Sequence, residues 1–152
     1  MAGTWKRFIS TGGIAKRGAV NYYIDSSALV KLIIEEDESD AIRSFVGQRL
    51  FTSVLTRIEV SRTLARAGHL GVQVREQLIG FLDFLPISEE LISSIENLPI
   101  PASVRSLDSI HIGSARLINP LIGGVITYDK KMQEALTHLG IKWFAPVGNL
   151  AS

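Results

Sequence analysis

Four acidic residues stand where a carboxylate is hard to explain as an ordinary surface charge: Asp25, Glu59, Asp108 and Asp129. Asp25 and Asp129 each end a short apolar run that is typical of a β-strand, and a helical pattern follows each at once. In a parallel sheet such residues meet at the edge where ligands bind. Converging carboxylates repel one another unless a cation lies between them. The pattern therefore indicates a divalent-metal site and phosphate chemistry.

Each acid also has a simpler structural explanation. Asp25 and Asp129 stand at positions typical of a helix N-cap. Glu59 could form an exposed ion pair with Arg62, and Asp108 could interact with the dipole of the helix that it opens. Taken together, two acids at strand ends and two on covering helices still favour one pocket for a hard cation such as Mg²⁺.

The composition is that of an ordinary globular protein. With 152 residues, 46% of them apolar and 20% charged, the chain is expected to fold as one main domain. The absence of cysteine excludes disulfides, zinc–thiolate sites and thiol nucleophiles. No apolar run is long enough to predict a membrane span or a signal peptide, so a cytoplasmic location is expected.

The first 19 residues differ from the rest in charge. They carry four basic residues and no acid, which leaves 12 Lys and Arg against 15 Asp and Glu in residues 20–152. We interpret residues 1–19 as a basic, glycine-containing tail and residues 20–152 as the folded domain. Such a tail could touch nucleic acid. A mobile leader, or a true start at Val20, explains it equally well.

Strand and helix patterns alternate from Asn21 onward. The predicted strands are residues 21–25, 50–53, 84–87, 123–128 and 141–144. The predicted helices are residues 26–36, 37–47, 54–67, 71–83, 88–98, 106–118 and 130–139. Alternation of this kind predicts an α/β fold: a five-strand parallel sheet covered by helices on both faces, in three α/β/α layers.

Other kinds of site have weaker support. His111 is best explained as a buried, hydrogen-bonded core histidine, while His69 and His138 lie near helix ends. None has the spacing of a zinc site. The chain contains no glycine-rich loop ending in Gly-Lys-Ser/Thr, no dinucleotide fingerprint and no Gly-x-Ser-x-Gly elbow.

The sequence resembles the PIN-domain ribonucleases over about residues 20–147. Residues 23–32, Tyr-Ile-Asp-Ser-Ser-Ala-Leu-Val-Lys-Leu, are similar to the opening motif of that family. Three further segments resemble the other acidic motifs of the family: residues 57–60 (Arg-Ile-Glu-Val), residues 107–115 (Leu-Asp-Ser-Ile-His-Ile-Gly-Ser-Ala) and residues 127–132 (Thr-Tyr-Asp-Lys-Lys-Met). Within the family, a short single-domain chain is similar to a VapC toxin of a VapBC toxin–antitoxin pair. The 19-residue leader departs from that pattern.

The resemblance implies a metal-dependent endoribonuclease that cuts single-stranded RNA, forms a homodimer and is inhibited by a small antitoxin. It implies that Asp25, Glu59, Asp108 and Asp129 ligate Mg²⁺ or Mn²⁺, with Ser26 or Thr127 orienting a ligand or water. Two further sets of residues are expected to contribute. Flanking phosphates would be held by Lys31, Arg57, Arg62 and Lys130, and part of a partner surface would come from Leu29, Leu32, Ile33 and Ile34.

Three alternatives to a ribonuclease remain open at this point. A structure-specific DNA nuclease would use the same acids, and a catalytically silent PIN-like binding module would keep the fold without the activity. A receiver-like domain that accepts phosphate on an aspartate is disfavoured, because Asp25 lacks a neighbouring acidic cluster and Asp108 lies late, on a helix.

Overall fold

The computed structural model describes residues 20–34, 37–44, 47–68, 76 and 80–147. In chain order its elements are β1 (Asn21–Ile24), α1 (Ser26–Ile33), α2 (Ser39–Arg43), β2 (Arg49–Ser53), α3 (Leu55–Arg66), β3 (Leu82–Leu85), α4 (Glu89–Glu96), α5 (Ser106–Ile118), a 3₁₀ turn (Asn119–Leu121), β4 (Val125–Ile126), α6 (Lys130–His138) and β5 (Trp143–Phe144). The tail at residues 1–19, and most of the helix predicted at 71–83, lie outside the described residues.

The five strands form one sheet in the order β3-β2-β1-β4-β5, and every neighbouring pair is parallel. This confirms the predicted α/β fold. From β1 the chain proceeds to one side of the sheet, through β2 and β3, and it then crosses to β4 on the other side of β1. The connections that leave β1 and β4 therefore diverge. A crevice opens between the carboxyl ends of these two strands, which is where open α/β sheets bind ligands.

The central strands are covered on both faces, as their continuous apolar runs predict. Tyr23, Phe51 and Val125 lie fully buried in one cluster, against Ile112 of α5 and Leu136 of α6. The second cluster brings other strand residues against α1, α2 and α3; its buried members are Ile24, Ala28, Leu29, Ile42, Leu50, Val60, Leu64, Leu82 and Ile126. Two apolar clusters with one sheet between them correspond to the predicted three layers.

Helix α5 approaches α4 closely at a residue without a side chain. A Cβ added at Gly113 would lie 2.6 Å from Cγ1 of Ile95 and 3.2 Å from Cδ1 of Leu91, so a larger residue would require the Ile95 side chain to move or the two helices to separate. The observed bounds of α5 match the prediction. Gly113 lies two positions beyond His111 on α5, and residues two apart point to opposite sides of a helix.

Most differences from the predicted elements are at their ends, but β3 is shifted. The predicted strand at residues 84–87 lies two residues too late, because β3 pairs Leu82 with Leu50 and Leu85 with Ser53. Asp83, interpreted as the end of a helix, is inside the strand, where its carboxylate bonds to Arg49 Nε at 3.0 Å. An ion pair between neighbouring strands thus allows an acid where the sequence pattern favoured a helix end.

Several other elements were predicted too long, while β2 begins one residue earlier than predicted. Helix α1 ends at Ile33, α2 at Arg43, α3 at Arg66, α4 at Glu96 and α6 at His138. Strands β4 and β5 are two residues each. Asp129 therefore stands three residues beyond β4 and does not close the strand. Among the described helices, none is long and apolar enough to cross a membrane.

Candidate active site

Asp25 follows β1 directly at the crevice, and only 2% of its surface is exposed. Its Oδ1 accepts hydrogen bonds from the Ser27 hydroxyl at 2.6 Å and from the backbone N–H of Ala28 at 3.0 Å. The Thr127 hydroxyl donates to Oδ2 at 2.5 Å. All three donors are neutral. Burial raises the pKa of Asp25, and the bonds from Ser27 and Thr127 oppose that rise. The carboxylate is thus firmly oriented but poorly neutralised.

The crevice links Asp25 to Asp129 through one hydroxyl. While Thr127 donates to Asp25, its oxygen accepts the backbone N–H of Asp129 at 3.1 Å. A second link runs from Ser27, whose hydroxyl oxygen accepts the backbone N–H of Tyr128 at 3.1 Å. Asp129 Oδ1 accepts from the backbone N–H of Met132 and so caps α6. Asp25 and Asp129 are both helix caps, as the simpler explanation predicted, and they are also connected through Thr127.

Glu59 is part of a buried hydrogen-bond chain. On α3, its Oε1 lies 2.5 Å from Nε2 of His111, a residue of α5 that is 2% exposed. The other ring nitrogen of His111, Nδ1, lies 2.7 Å from the hydroxyl of Tyr23. That hydroxyl also accepts the backbone N–H of Ser53 at 3.2 Å. Burial, the first of several causes, raises the pKa of Tyr23 far above its ordinary value, so the phenol remains protonated.

Asp108 lies in the first turn of α5, where its side chain is 13% exposed. Its Oδ2 is 3.4 Å from Nε of Arg105, whose side chain is 78% exposed. The expected dipole interaction fits this position. Because Asp108 and His111 are three residues apart on α5, they lie on neighbouring parts of one helix face.

The contacts place the four predicted acids in two separate pairs. Asp25 and Asp129 are joined through Thr127, and Glu59 is joined through His111 to the helix that carries Asp108. Among residues 20–34, 37–44, 47–68, 76 and 80–147, no three Asp, Glu, His or Cys side chains converge closely enough to hold an ion. The donors are nevertheless carboxylate oxygens, which suit Mg²⁺ or Mn²⁺. A buried carboxylate with only neutral partners also fits a cation site.

Several contacts of this site were not predicted. Thr127 contacts Asp25 as expected, but the serine that does so is Ser27, not Ser26. His111 was correctly predicted to be buried and hydrogen-bonded, but its bond to Glu59 was missed. No local pattern indicates that Tyr23, on a different element, is the second partner of His111.

The candidate phosphate-binding residues divide into two groups. Arg57, Arg62 and Lys130 are exposed, with Arg57 stacked 5.8 Å from the centre of the Phe84 ring. Lys31 is instead engaged: its Nζ bonds to Glu38 at 3.0 Å and lies 4.7 Å from the ring centre of Tyr128.

The first helix contributes less free apolar surface than expected. Leu29 is fully buried, while Leu32, Ile33 and Ile34 are partly buried against the second core cluster.

Comparison with known proteins agrees with this architecture. The sequence profile of the PIN domain matches residues 22–136. Ribonuclease VapC46 of Mycobacterium tuberculosis is 35% identical to this chain over 126 residues, which cover 82% of this chain and 96% of that protein. Ribonuclease VapC47 of the same species is also 35% identical, over 131 residues, with the same coverage of both chains.

Two solved structures share the fold at low sequence identity. One belongs to a toxin–antitoxin complex from Klebsiella pneumoniae; it has a TM-score of 0.64 and 16% identity, and the match covers 82% of this chain and 97% of that chain. The other is Mycobacterium tuberculosis VapC20, described as a toxin that cleaves the sarcin–ricin loop. It has a TM-score of 0.58 and 13% identity, and the match covers 75% of this chain and 94% of that chain.

Proposed function

Since this chain belongs to the PIN-domain family and matches VapC ribonucleases along most of its length, we propose that it is a metal-dependent endoribonuclease that cleaves single-stranded RNA. The observation that carries the proposal is the buried carboxylate of Asp25 at the crevice between β1 and β4, oriented by neutral donors alone. A folded protein rarely keeps such a group unless it serves a ligand or a reaction.

In this proposal Mg²⁺ or Mn²⁺ is held by Asp25, Glu59, Asp108 and Asp129. A bound divalent ion would supply positive charge at the phosphate and lower the pKa of a coordinated water. Ser27 and Thr127 hold the Asp25 carboxylate in one orientation. In the metal-free protein Arg105 partly balances the charge of Asp108.

The substrate is a polyanion, and an acidic crevice alone would repel it. With metal bound, the local charge is less negative, and exposed cations beside the acids can then hold the flanking phosphates. Arg62 and Lys130 are placed for this, because Arg62 lies three residues from Glu59 on α3 and Lys130 directly follows Asp129. Arg57 lies two residues before Glu59, so it points to the other side of α3, where it stacks on Phe84. Preference for a single strand rests on the family resemblance.

We further propose that the protein acts in the cytoplasm as the toxin of a toxin–antitoxin pair, as a homodimer inhibited by a small antitoxin. The VapC relatives and the toxin–antitoxin complex with the same fold support this assignment. Two exposed apolar side chains flank the acids: Ile58, 63% exposed, precedes Glu59, and Leu107, 51% exposed, precedes Asp108. An antitoxin that covered them would also cover the site.

The deciding assay compares a labelled single-stranded RNA, its duplex and the matching DNA, each with Mg²⁺, Mn²⁺ or EDTA. Cleavage of the single-stranded RNA should require metal and disappear in Asp25→Asn and Asp108→Asn, because asparagine keeps the shape of aspartate without its charge. Asp40→Asn, at an exposed acid on α2 paired with Arg43, is the matched control and should cleave normally. Equal cleavage in EDTA would reject the mechanism, and preferred cleavage of DNA would favour the alternative nuclease.

The toxin assignment has its own test. Brief expression of the wild type should arrest growth and produce new RNA ends, which sequencing would locate, while Asp25→Asn should do neither. Light scattering of the purified protein should give the mass of a dimer. Purification from the native source should recover a small second protein that inhibits cleavage. A strict monomer with no such partner would contradict this part of the proposal.

A further inference from the structure

We propose that His111 is a positioning residue that, held by Tyr23, fixes the Glu59 carboxylate for metal binding. The inference rests on the proposed function, because it assigns a role within the same site. His111 lies between two residues from different parts of the chain: Tyr23, 88 residues before it, and Glu59, 52 residues before it. It would act on the reaction through Glu59 and would not touch RNA itself.

The direction of the hydrogen bonds supports this role. An ionised carboxylate only accepts, so Nε2 of His111 must carry the hydrogen that it donates to Glu59. In neutral imidazole Nδ1 then accepts, and the donor facing it is the hydroxyl of Tyr23. The oxygen of that hydroxyl accepts the backbone N–H of Ser53, which leaves its hydrogen free for His111. The chain of bonds therefore favours the tautomer in which Nε2, the ring nitrogen that faces Glu59, carries the hydrogen.

Glu59 needs such a support more than the other acids do. Asp25 is a short side chain held by three donors, and Asp129 is fixed as the cap of α6. Glu59 has one more rotatable bond than an aspartate and lies on the middle of α3, where no backbone N–H is free to hold it. Its hydrogen-bond partner is the ring of His111, which is itself anchored to β1 and β2. The carboxylate is thus fixed relative to the central sheet.

Two substitutions of His111 separate positioning from packing. In His111→Gln the side-chain amide nitrogen replaces Nε2 and can still donate to Glu59. In His111→Asn the shorter amide reaches only as far as Nδ1, so it can face Tyr23 but not Glu59. We expect calorimetric titration with Mn²⁺ to show an affinity within about threefold of wild type for His111→Gln. For His111→Asn we expect a loss of roughly 10–100-fold.

Tyrosine offers a second pair with a matched control. Tyr23→Phe removes the hydroxyl that holds His111 and should weaken Mn²⁺ binding. Tyr22→Phe makes the same change at the preceding residue, whose ring centre lies 5.8 Å from that of Phe144, and should leave Mn²⁺ binding unchanged. Both variants are measured well below their melting temperatures, so that lost stability does not enter the comparison. In metal-free wild-type protein, ¹⁵N NMR should show a protected ring hydrogen on Nε2 of His111.

The kinetic outcome should follow the metal affinity. At fixed low Mn²⁺, His111→Asn should lower kcat for single-stranded RNA with little change in KM, and high Mn²⁺ should restore part of the rate. Equal Mn²⁺ affinities for the Asn and Gln variants would overturn the positioning role. If wild type cleaves with Mn²⁺ and both variants match it, only this inference fails. A folded wild type that neither binds Mn²⁺ nor cleaves would overturn the proposed function and this inference with it.

Discussion

The Thr127 hydroxyl donates a hydrogen bond to Oδ2 of Asp25 across the crevice between β4 and β1. The two residues are 102 positions apart in sequence, and each directly follows its strand. The bond therefore joins the end of β1 to the end of β4. It also helps to orient Asp25, because the donors from Ser27 and Ala28 both bond to Oδ1 and Thr127 bonds to Oδ2. The crevice is therefore organised by its hydroxyls as much as by its acids.

Replacing that hydroxyl should damage both stability and activity. Thr127→Val removes the donor to Asp25 and leaves the backbone N–H of Asp129 without its partner. We expect a loss of about 1–3 kcal/mol in the free energy of unfolding and a fall in cleavage rate of roughly 10–100-fold. Urea unfolding and the RNA assay measure the two effects. Thr127→Ser keeps the hydroxyl and should recover most of both; a serine variant as impaired as the valine variant would contradict this explanation.

The buried charge of Asp25 should make the metal-free protein less stable at neutral pH than its amide variant. Burial raises the pKa of Asp25 above its ordinary value of 3.8, so its contribution favours folding below that pH and is lost as the pH rises through the folded-state pKa. Asparagine does not ionise. In EDTA at pH 7, Asp25→Asn should therefore unfold at higher urea than wild type, and the difference should narrow as the pH approaches 3.8. A wild type more stable than Asp25→Asn at pH 7 would contradict the prediction.

Added metal should reverse that order of stability. Mn²⁺ at 100 times its dissociation constant should add about 2.7 kcal/mol to the stability of wild type, which EDTA should remove. The gain should shrink as the pH falls, because protons compete with the ion for Asp25, whose pKa is raised. Thermal unfolding with and without Mn²⁺ measures this. Asp40→Asn should show the full gain and Asp25→Asn little of it; an equal gain in both would mean that Mn²⁺ binds elsewhere.

Arg105 should compete with metal at Asp108. Its guanidinium lies 3.4 Å from the carboxylate but is 78% exposed, so the pair should add less than about 1 kcal/mol to stability. We expect Arg105→Gln to bind Mn²⁺ roughly two- to fivefold more tightly at low salt, with a nearly unchanged melting temperature. The gain should fade at high salt, because ions screen an exposed pair. Weaker Mn²⁺ binding by this variant would mean that Arg105 supports the site.

The exposed cations should hold RNA, while Lys31 should act mainly within the protein. Lys130→Gln and Arg62→Gln should each raise KM and lower the slope of RNA affinity against salt by roughly 0.7 for a lost phosphate contact. Lys31→Gln should instead reduce stability, because it loses the bond to Glu38 and the contact with the Tyr128 ring. RNA binding at several salt concentrations separates the two kinds of effect. An unchanged salt slope for Lys130→Gln and Arg62→Gln would exclude them from the RNA path.

The fold was largely predictable because its strands are buried on both faces and its helices have local signals. The apolar pattern of residues 106–118 predicted α5 with its observed ends, and the positions of Asp25 and Asp129 predicted the helix caps that the structure shows. The bounds of β3 depend on contacts across the sheet. The pairing of Asp83 with Arg49, 34 residues away, is a tertiary interaction that local propensity does not encode.

The sequence predicted the acids of the candidate site, a role for Thr127 and the burial of His111, but not the bonds that hold Glu59. The carboxyl ends of parallel strands meet at one edge of the sheet, so the sequence alone predicted that Asp25 and Asp129 lie near one another. Their supports come from other elements: Thr127 reaches Asp25, and His111 joins Glu59 to Tyr23. Such bonds depend on how α5 packs against α3 and the sheet, and no spacing along the sequence determines that packing.

The contact at Gly113 makes the site sensitive to a helix that contributes nothing to its chemistry. Helix α4 meets α5 on the side away from His111, where Ile95 would lie 2.6 Å from any added Cβ. A bulkier residue at either position should require Ile95 to move or α5 to shift, and a shift of α5 would carry Asp108 and His111 with it. Under the proposed function, sequence changes in α4 should therefore alter the rate of RNA cleavage without changing any residue that faces the RNA. A weakened variant could then be made by substitutions outside the site.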